Sequence, residues 1–220
     1  MAFKPALIVV DFQEDFCPPH GTLAVPDGRA IAPTINALLA LPFTIKLATR
    51  DWHPLTHVSF AANHPGTEPY TSTTTISHAT KPSYQTTLWP VHCVQNTPGA
   101  ELVPELQVAH LHGIVDKGMV ADREMYSAFY DPFGESGSGL VEMLRDSGVT
   151  HAYVVGLASD YCVKATALHA RDEGLVTYIV EDATRPVFPE AWPAEREKLV
   201  AEGIVMIDSV GDEVERVRQL

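Results

Sequence analysis

Tyr153-Val154-Val155-Gly156-Leu157-Ala158-Ser159-Asp160-Tyr161-Cys162-Val163-Lys164-Ala165-Thr166 reads as a strand, a tight turn and the opening of a helix. The first part is β-branched and almost continuously apolar, as a strand buried on both faces must be. Past the turn, Ala165, Ala167, Leu168 and Ala170 recur at helical spacing until Gly174, so Tyr161 to Glu173 is expected to be a helix. A strand that runs directly into a helix is the building unit of a parallel sheet with crossover helices.

The same alternation extends in both directions. Ala6 to Val10, Phe43 to Thr49, Gly113 to Lys117, Thr150 to Leu157, Val176 to Val180 and Gly203 to Ile207 are short apolar runs. Arg29 to Leu41, with Pro33 in its first turn, Leu140 to Arg145 and Pro193 to Glu202 fit the intervening helices. The pattern predicts an α/β fold, a three-layer α/β/α arrangement with a mainly parallel sheet of roughly six strands. Residues from about 51 to 100 break the rhythm with Pro, Thr, His and Trp. So long a stretch without periodicity is expected to be a site-forming excursion within a single domain covering residues 1–220.

Lys and Arg number 15 against 28 Asp and Glu, a net charge of −13, and 45% of residues are hydrophobic. That composition argues for a folded chain and against partners with phosphate backbones or anionic lipid surfaces, which would repel it. Small neutral or cationic ligands suit it better. No apolar run approaches the ~18–20 residues of a membrane span. Met1 to Val10 holds one Lys and leads straight into Asp11, unlike a secretory leader. Three cysteines, Cys17, Cys93 and Cys162, are too few for a disulfide framework, so a reducing cytoplasm is expected.

In open parallel sheets, ligands bind beyond the carboxyl ends of the strands. Asp11 follows the first run, Asp51 and His53 the second, and Lys117 closes the third. Ser159, Asp160 and Cys162 follow the fourth. A charged residue ending one strand is ordinary; an acid, a base, a thiol and metal-type ligands at four strand ends are a site.

Cys162 falls in the first turn of its helix, with Ser159 or Asp160 placed to cap it. There the helix dipole favours thiolate, and the local N–H groups are available to an oxyanion. The other reading of Cys162 is a buried structural cysteine, which is the expectation for Cys17 and Cys93. Asp11, at the end of an apolar strand, is either a turn residue or a desolvated carboxylate able to take a thiol proton. Lys117 in its own segment reads as a solvated surface lysine. Placed beside Asp11 and Cys162, it would favour the ionised form of both. Asp51 and His53, two apart, face one side of an extended segment, and His92 is a third donor. Asp/His/His suits Zn²⁺, Fe²⁺ or Mn²⁺, although Asp-x-His is a weak signal by itself.

Five separated stretches resemble the nicotinamidase branch of the isochorismatase-like cysteine hydrolases. They are Ile8 to Phe16; Thr49 to Pro54 with His57, Ser59 and Phe60; Leu88 to Gln95 with Gly99-Ala100; Lys117-Gly118 with Tyr126 to Phe129; and Gly156 to Thr166. The resemblance implies an isochorismatase-like fold and hydrolysis of nicotinamide to nicotinate and ammonia through a cysteine thioester, in NAD salvage. It implies Cys162 as nucleophile, Asp11 as proton acceptor and Lys117 as the third catalytic residue. It further implies a divalent metal, Zn²⁺ first with Fe²⁺ or Mn²⁺ as alternatives, on Asp51, His53 and His92, with Ser59 contacting metal-bound water. Gln13, Phe16, Trp89, Tyr126 and Tyr161 correspond to pocket positions. The N–H groups of Ala158 and Cys162 correspond to the oxyanion hole, beside a cis peptide at Leu157–Ala158. Relatives of this kind often assemble, which leaves a homo-oligomer open. The chain departs from the pattern in Ser159, where Thr is more usual, and in Glu124-Met125, where many relatives have Asp-Ser.

Three rival readings stand beside this one. A related amidase would act on pyrazinamide or a carbamoyl compound. A non-catalytic metabolite-binding protein would use the same fold. A zinc-stabilised protein would carry Cys162 as a redox sensor.

Overall fold

In chain order the strands are Pro5–Val10 (β1), Ile45–Asp51 (β2), Thr73–Ile76 (β3), Tyr84–Thr87 (β4), Gly113–Lys117 (β5), His151–Leu157 (β6), Val176–Arg185 (β7) and Val205–Ile207 (β8). The helices are Ala32–Leu39 (α1), Leu140–Asp146 (α2), Cys162–Asp172 (α3), Trp192–Ala201 (α4) and Asp212–Arg218 (α5). The computed structural model describes residues 2–220; Met1, the first residue of the stretch read above for a leader, lies outside the described residues.

Among the described residues, six strands form one parallel sheet in the order β5-β2-β1-β6-β7-β8. β1 lies inside it and is buried at every position. Its side chains alternate between two cores, as the period of two requires. Leu7 and Val9 pack with α1 and α5 through Ile35, Leu38, Leu39, Val214 and Val217. Ala6, Ile8 and Val10 pack with α2, α3 and α4 through Leu140, Leu144, Val163, Ala167 and Leu199. Helices therefore cover both faces, which gives the three layers. Because the strands are parallel, their carboxyl ends share one rim. Gly156 lies opposite Val10 with φ +105°, and a Cβ there would sit 2.0 Å from the Val10 carbonyl oxygen. Only glycine lets β6 approach β1 so closely just before the turn to Cys162.

Four elements differ from the sequence-based expectation. β7 does not stop at Val180 but continues to Arg185 after a register shift opposite Val154 to Gly156. The charges of Glu181 and Asp182 are accommodated on that shifted strand, by Arg196 and by the backbone and hydroxyl of Ser209 respectively. α1 is shorter than Arg29 to Leu41, because Gly28–Ile31 forms a 3₁₀ turn before Pro33 sets the α-helix. The excursion after β2 carries an antiparallel hairpin, β3–β4. α5 closes the chain without having been predicted.

Candidate active site

The register of β2 against β5 sets Asp51 directly opposite Lys117. Lys117 is fully buried, and its Nζ donates to Asp51 Oδ1 at 2.5 Å and to the Met125 carbonyl at 3.1 Å. The same Nζ lies 3.0 Å from Asp11 Oδ2 and 3.6 Å from Cys162 Sγ. Far from being solvated, this ammonium is the hub of the rim. Burial works to lower its pKa, but the carboxylates of Asp11 and Asp51 together hold it well above the ordinary lysine range.

Asp11 follows β1 in a left-handed conformation, φ 46°, which a non-glycine residue adopts only under local constraint. The constraint comes from Thr49 on β2. The Thr49 hydroxyl donates to Asp11 Oδ1 at 2.6 Å and accepts the Asp11 N–H at 3.1 Å. Burial pushes the Asp11 carboxyl up to about 6, against the opposing pull of Lys117. Asp51 shows the opposite balance: the charges of Lys117 and His53 outweigh its burial and hold it well below the usual carboxylate range.

Cys162 is the first residue of α3 and is buried. Burial raises its thiol well above the ordinary value, with only partial relief from Lys117, so the resting group is a thiol rather than the dipole-stabilised thiolate expected. One carboxylate oxygen each of Asp11 and Asp51 and the Cys162 sulfur lie within 4.8 Å of one another. Among the described residues, no hydrogen bond takes the N–H of Ala158 or of Cys162. Both flank the turn where the Leu157–Ala158 peptide is cis. The expected helix cap is not made by Ser159 or Asp160: Tyr161 occupies that position without a side-chain bond. The Ser159 hydroxyl is buried without a partner, and the Asp160 carboxylate binds the backbone of Val187 and Phe188 instead.

Beside this cluster, Asp51, His53 and His92 each turn a donor atom toward a common point, within 4.8 Å of one another. The Nδ1 of His53 donates to the Gly118 carbonyl at 2.8 Å, and that of His92 to the Pro90 carbonyl at 2.7 Å. A carbonyl only accepts, so each ring keeps a proton on Nδ1. His92 offers its Nε2 lone pair, as metal-binding histidines do. At His53 burial is outweighed by Asp51, which raises the imidazole, and a bound metal would displace its Nε2 proton. His53 Nε2 is 3.4 Å from Asp51 Oδ2, the oxygen not bonded to Lys117. Gly118 has φ +67°, and a Cβ there would meet His53 Cε1 at 2.4 Å, so glycine is needed behind the imidazole. The donor set fits a divalent ion. Ser59 Oγ lies 2.8 Å from Nδ1 of His57, whose ring stacks on His53 at 4.0 Å. Burial pushes His57 down to about 2 and His92 to about 4, so both are neutral near pH 7.

A narrow cavity reaches Cys162 and Ala158 from outside, enclosing about 350 Å³ including its mouth. Phe16, Trp89, Tyr126 and Tyr161 line it, together with Asp51 and His92. Gln13 does not. It is fully buried behind β2, where its Nε2 donates to the carbonyls of Asp51 and Ala100 and its Oε1 accepts the Asp51 N–H. With its amide engaged in this way, Gln13 fixes the backbone of Asp51 rather than meeting a ligand. Sequence reading missed the aliphatic wall of Leu23, Val25 and Val187, which comes from loops without periodic signal. Glu124 stands out in the sequence only as a departure from the family pattern, not as a buried charge beside the site. Glu124 is buried, has an unpartnered Oε2, and is pushed up to about 7 by burial against the charge of His53.

A doubly covered parallel sheet with a buried cysteine, carboxylate and ammonium beside metal-type ligands defines the architecture of a hydrolase-like α/β protein. The chain belongs to the isochorismatase domain family, whose pattern it matches over residues 5–210. It is 42% identical over 214 residues to a nicotinamidase of Saccharomyces cerevisiae, covering 92% of this chain and 98% of that one. The crystal structure of the yeast nicotinamidase bound to the inhibitor nicotinaldehyde superposes with a TM-score of 0.88 at 40% identity, covering 93% of this chain and 99% of that chain. A zinc complex of Pyrococcus horikoshii pyrazinamidase superposes with a TM-score of 0.73 at 37% identity, with coverages of 93% and 99%.

Proposed function

We propose that the protein hydrolyses nicotinamide to nicotinate and ammonia through a thioester on Cys162. The observation that carries this reading is the meeting of Asp11, Lys117 and Cys162 at the floor of a narrow cavity walled by aromatic rings. Asp11 takes the Sγ proton as sulfur attacks the carboxamide carbon, so no free thiolate has to be stored in the buried site. Lys117 steadies the ionic pair that forms. The oxyanion faces the unclaimed N–H groups of Ala158 and Cys162. The C–N bond breaks and nitrogen leaves as ammonia with the proton from Asp11. Water then gives a proton to Asp11 while its oxygen attacks the thioester carbon; the C–S bond breaks, and sulfur recovers the proton.

Asp51, His53 and His92 would hold a divalent metal, with zinc the first choice, and the bound ion would supply Lewis-acid attraction for a ring nitrogen. The aromatic rings of Phe16, Trp89, Tyr126 and Tyr161 suit a flat neutral heteroaromatic. The Lys117 ammonium at the cavity floor is matched by two carboxylates, which disfavours an anionic substrate. Pyrazinamide offers the same ring shape and nitrogen and is a reasonable second substrate. A role in salvage of pyridine nucleotide precursors follows from the product. We take residues 1–220 as one domain, since the strands of its parallel sheet run from β1 to β8. Three unpaired, buried cysteines favour a reducing compartment such as the cytoplasm, and no helix among the described residues is long and apolar enough to cross a membrane.

The test is ammonia release from nicotinamide by the native protein, by Cys162→Ala and by chelator-treated protein. The reading requires activity in the first and its loss in the other two. Activity that survives Cys162→Ala would overturn the thioester route.

A further inference from the structure

Asp160 stands two residues before Cys162, is buried, and takes no part in the chemistry above. Its Oδ1 accepts the Val187 N–H and its Oδ2 the Phe188 N–H, each at 2.9 Å. One residue earlier, the Ser159 N–H donates to the Arg185 carbonyl at 2.9 Å. The turn that carries Cys162 is thus fastened at three points to the segment that leaves β7.

That segment needs fastening. Residues 186–191 link β7 to α4 without regular structure. Among the described residues, the N–H groups of Val187 and Phe188 have no backbone acceptor. Val187 nevertheless lines the cavity with Ala158 and Cys162, and the Phe188 ring lies 6.3 Å from Tyr161 and 6.5 Å from Trp89 at its aromatic wall. Two neighbouring N–H groups call for two acceptors on one short side chain. An ionised aspartate provides them; an amide has only one.

We infer that Asp160 is a positioning residue for substrate binding, a clasp that sets the distance between the nucleophile turn and the Val187–Phe188 wall of the cavity. The inference rests on the proposed reaction for its kinetic consequence, though not for the clasp itself. Asp160 touches neither the reacting atoms nor the metal-type ligands, so its loss should loosen the wall and leave the chemistry in place.

The experiment compares wild type, Asp160→Asn, Asp160→Glu, Val187→Ala and the Asp160→Asn/Val187→Ala double variant by amide hydrogen exchange and by ammonia release from nicotinamide. In Asp160→Asn, exchange at Val187 and Phe188 should accelerate about tenfold or more while the β6 amides keep wild-type protection. KM for nicotinamide should rise about tenfold, with kcat changed less than about threefold. Asp160→Glu, with two acceptors again, should recover part of both effects. The KM effect of Asp160→Asn should shrink in the Val187→Ala background, because the two act through one wall. Unchanged exchange at Val187 and Phe188 would overturn the clasp. Faster exchange with unchanged KM, or a fall confined to kcat, would overturn the positioning role. Wild-type protein that releases no ammonia would overturn the proposed function alone, and the exchange rates would still decide the clasp.

Discussion

Replacing Lys117 by Met keeps much of the aliphatic stem and removes the charge from the centre of the rim. The ammonium lies 3.0 Å from Asp11 Oδ2 and 2.5 Å from Asp51 Oδ1, with all three side chains essentially inaccessible. At an effective dielectric of about 20, each attraction is worth about 5–7 kcal/mol gross. Most of that offsets the desolvation of three buried charges. The net loss on removing one partner should be about 3–5 kcal/mol, because two carboxylates are left buried without compensation. The melting temperature should fall by roughly 10 °C. The catalytic effect follows from the same charge. Without the cation, the Asp11 carboxyl, already at about 6, must rise further and be protonated at neutral pH, where it can no longer accept the thiol proton. Ammonia release at pH 7 should drop by about 10²-fold or more. Urea unfolding and steady-state ammonia release measure the two effects. Adding Asp11→Asn to Lys117→Met should restore part of the stability and none of the activity. A Lys117→Met protein within about 1 kcal/mol of wild-type stability, or within threefold of its activity, would refute this view of the ammonium.

Other expectations can be checked separately. The acid limb of kcat/KM should have its midpoint near the Asp11 value of about 6, with activity lost below it as the base takes a proton; a limb near 4 would mean that Asp11 is not the group observed. Chelation should abolish ammonia release while far-ultraviolet circular dichroism is retained, because the two cores are built without the metal ligands; unfolding on chelation would favour a structural ion. Gly118→Ala should lower metal content at a given free-metal concentration, since its Cβ would sit 2.4 Å from His53 Cε1 at φ +67°; unaltered metal content would show that the loop can yield. Gln13→Leu should cost about 1–3 kcal/mol in urea unfolding, through unsatisfied groups around the Asp51 backbone, and a neutral effect would contradict the role assigned to that amide.

The parallel sheet was legible because its strands are buried on both faces and therefore nearly uninterrupted in apolar residues. Asp11, Asp51, Lys117 and Cys162 were legible as strand-end residues for the same reason, since parallel strands bring their carboxyl ends to one rim. The β3–β4 hairpin was not. Its Thr-rich strands are partly exposed and pair only with each other, so they carry little hydrophobic pattern. The continuation of β7 past Glu181 was hidden because those charges find partners only in the folded chain. Gln13 was misread for a related reason: whether a side chain faces a pocket or grips a neighbouring backbone depends on a half-turn that the sequence does not encode locally. Lys117 shows the reverse. By itself it looked solvated, and only the pairing of β2 with β5 puts it between two carboxylates.

The most direct measurement is mass spectrometry of protein quenched during turnover of nicotinamide. A nicotinoyl group should be found on the peptide containing Cys162, absent from Cys162→Ala and depleted when the protein stands in substrate-free buffer. Steady ammonia release with Cys162 unmodified at every time of quenching, or an acyl group on Cys17 or Cys93 instead, would contradict the assignment of Cys162 as the attacking group.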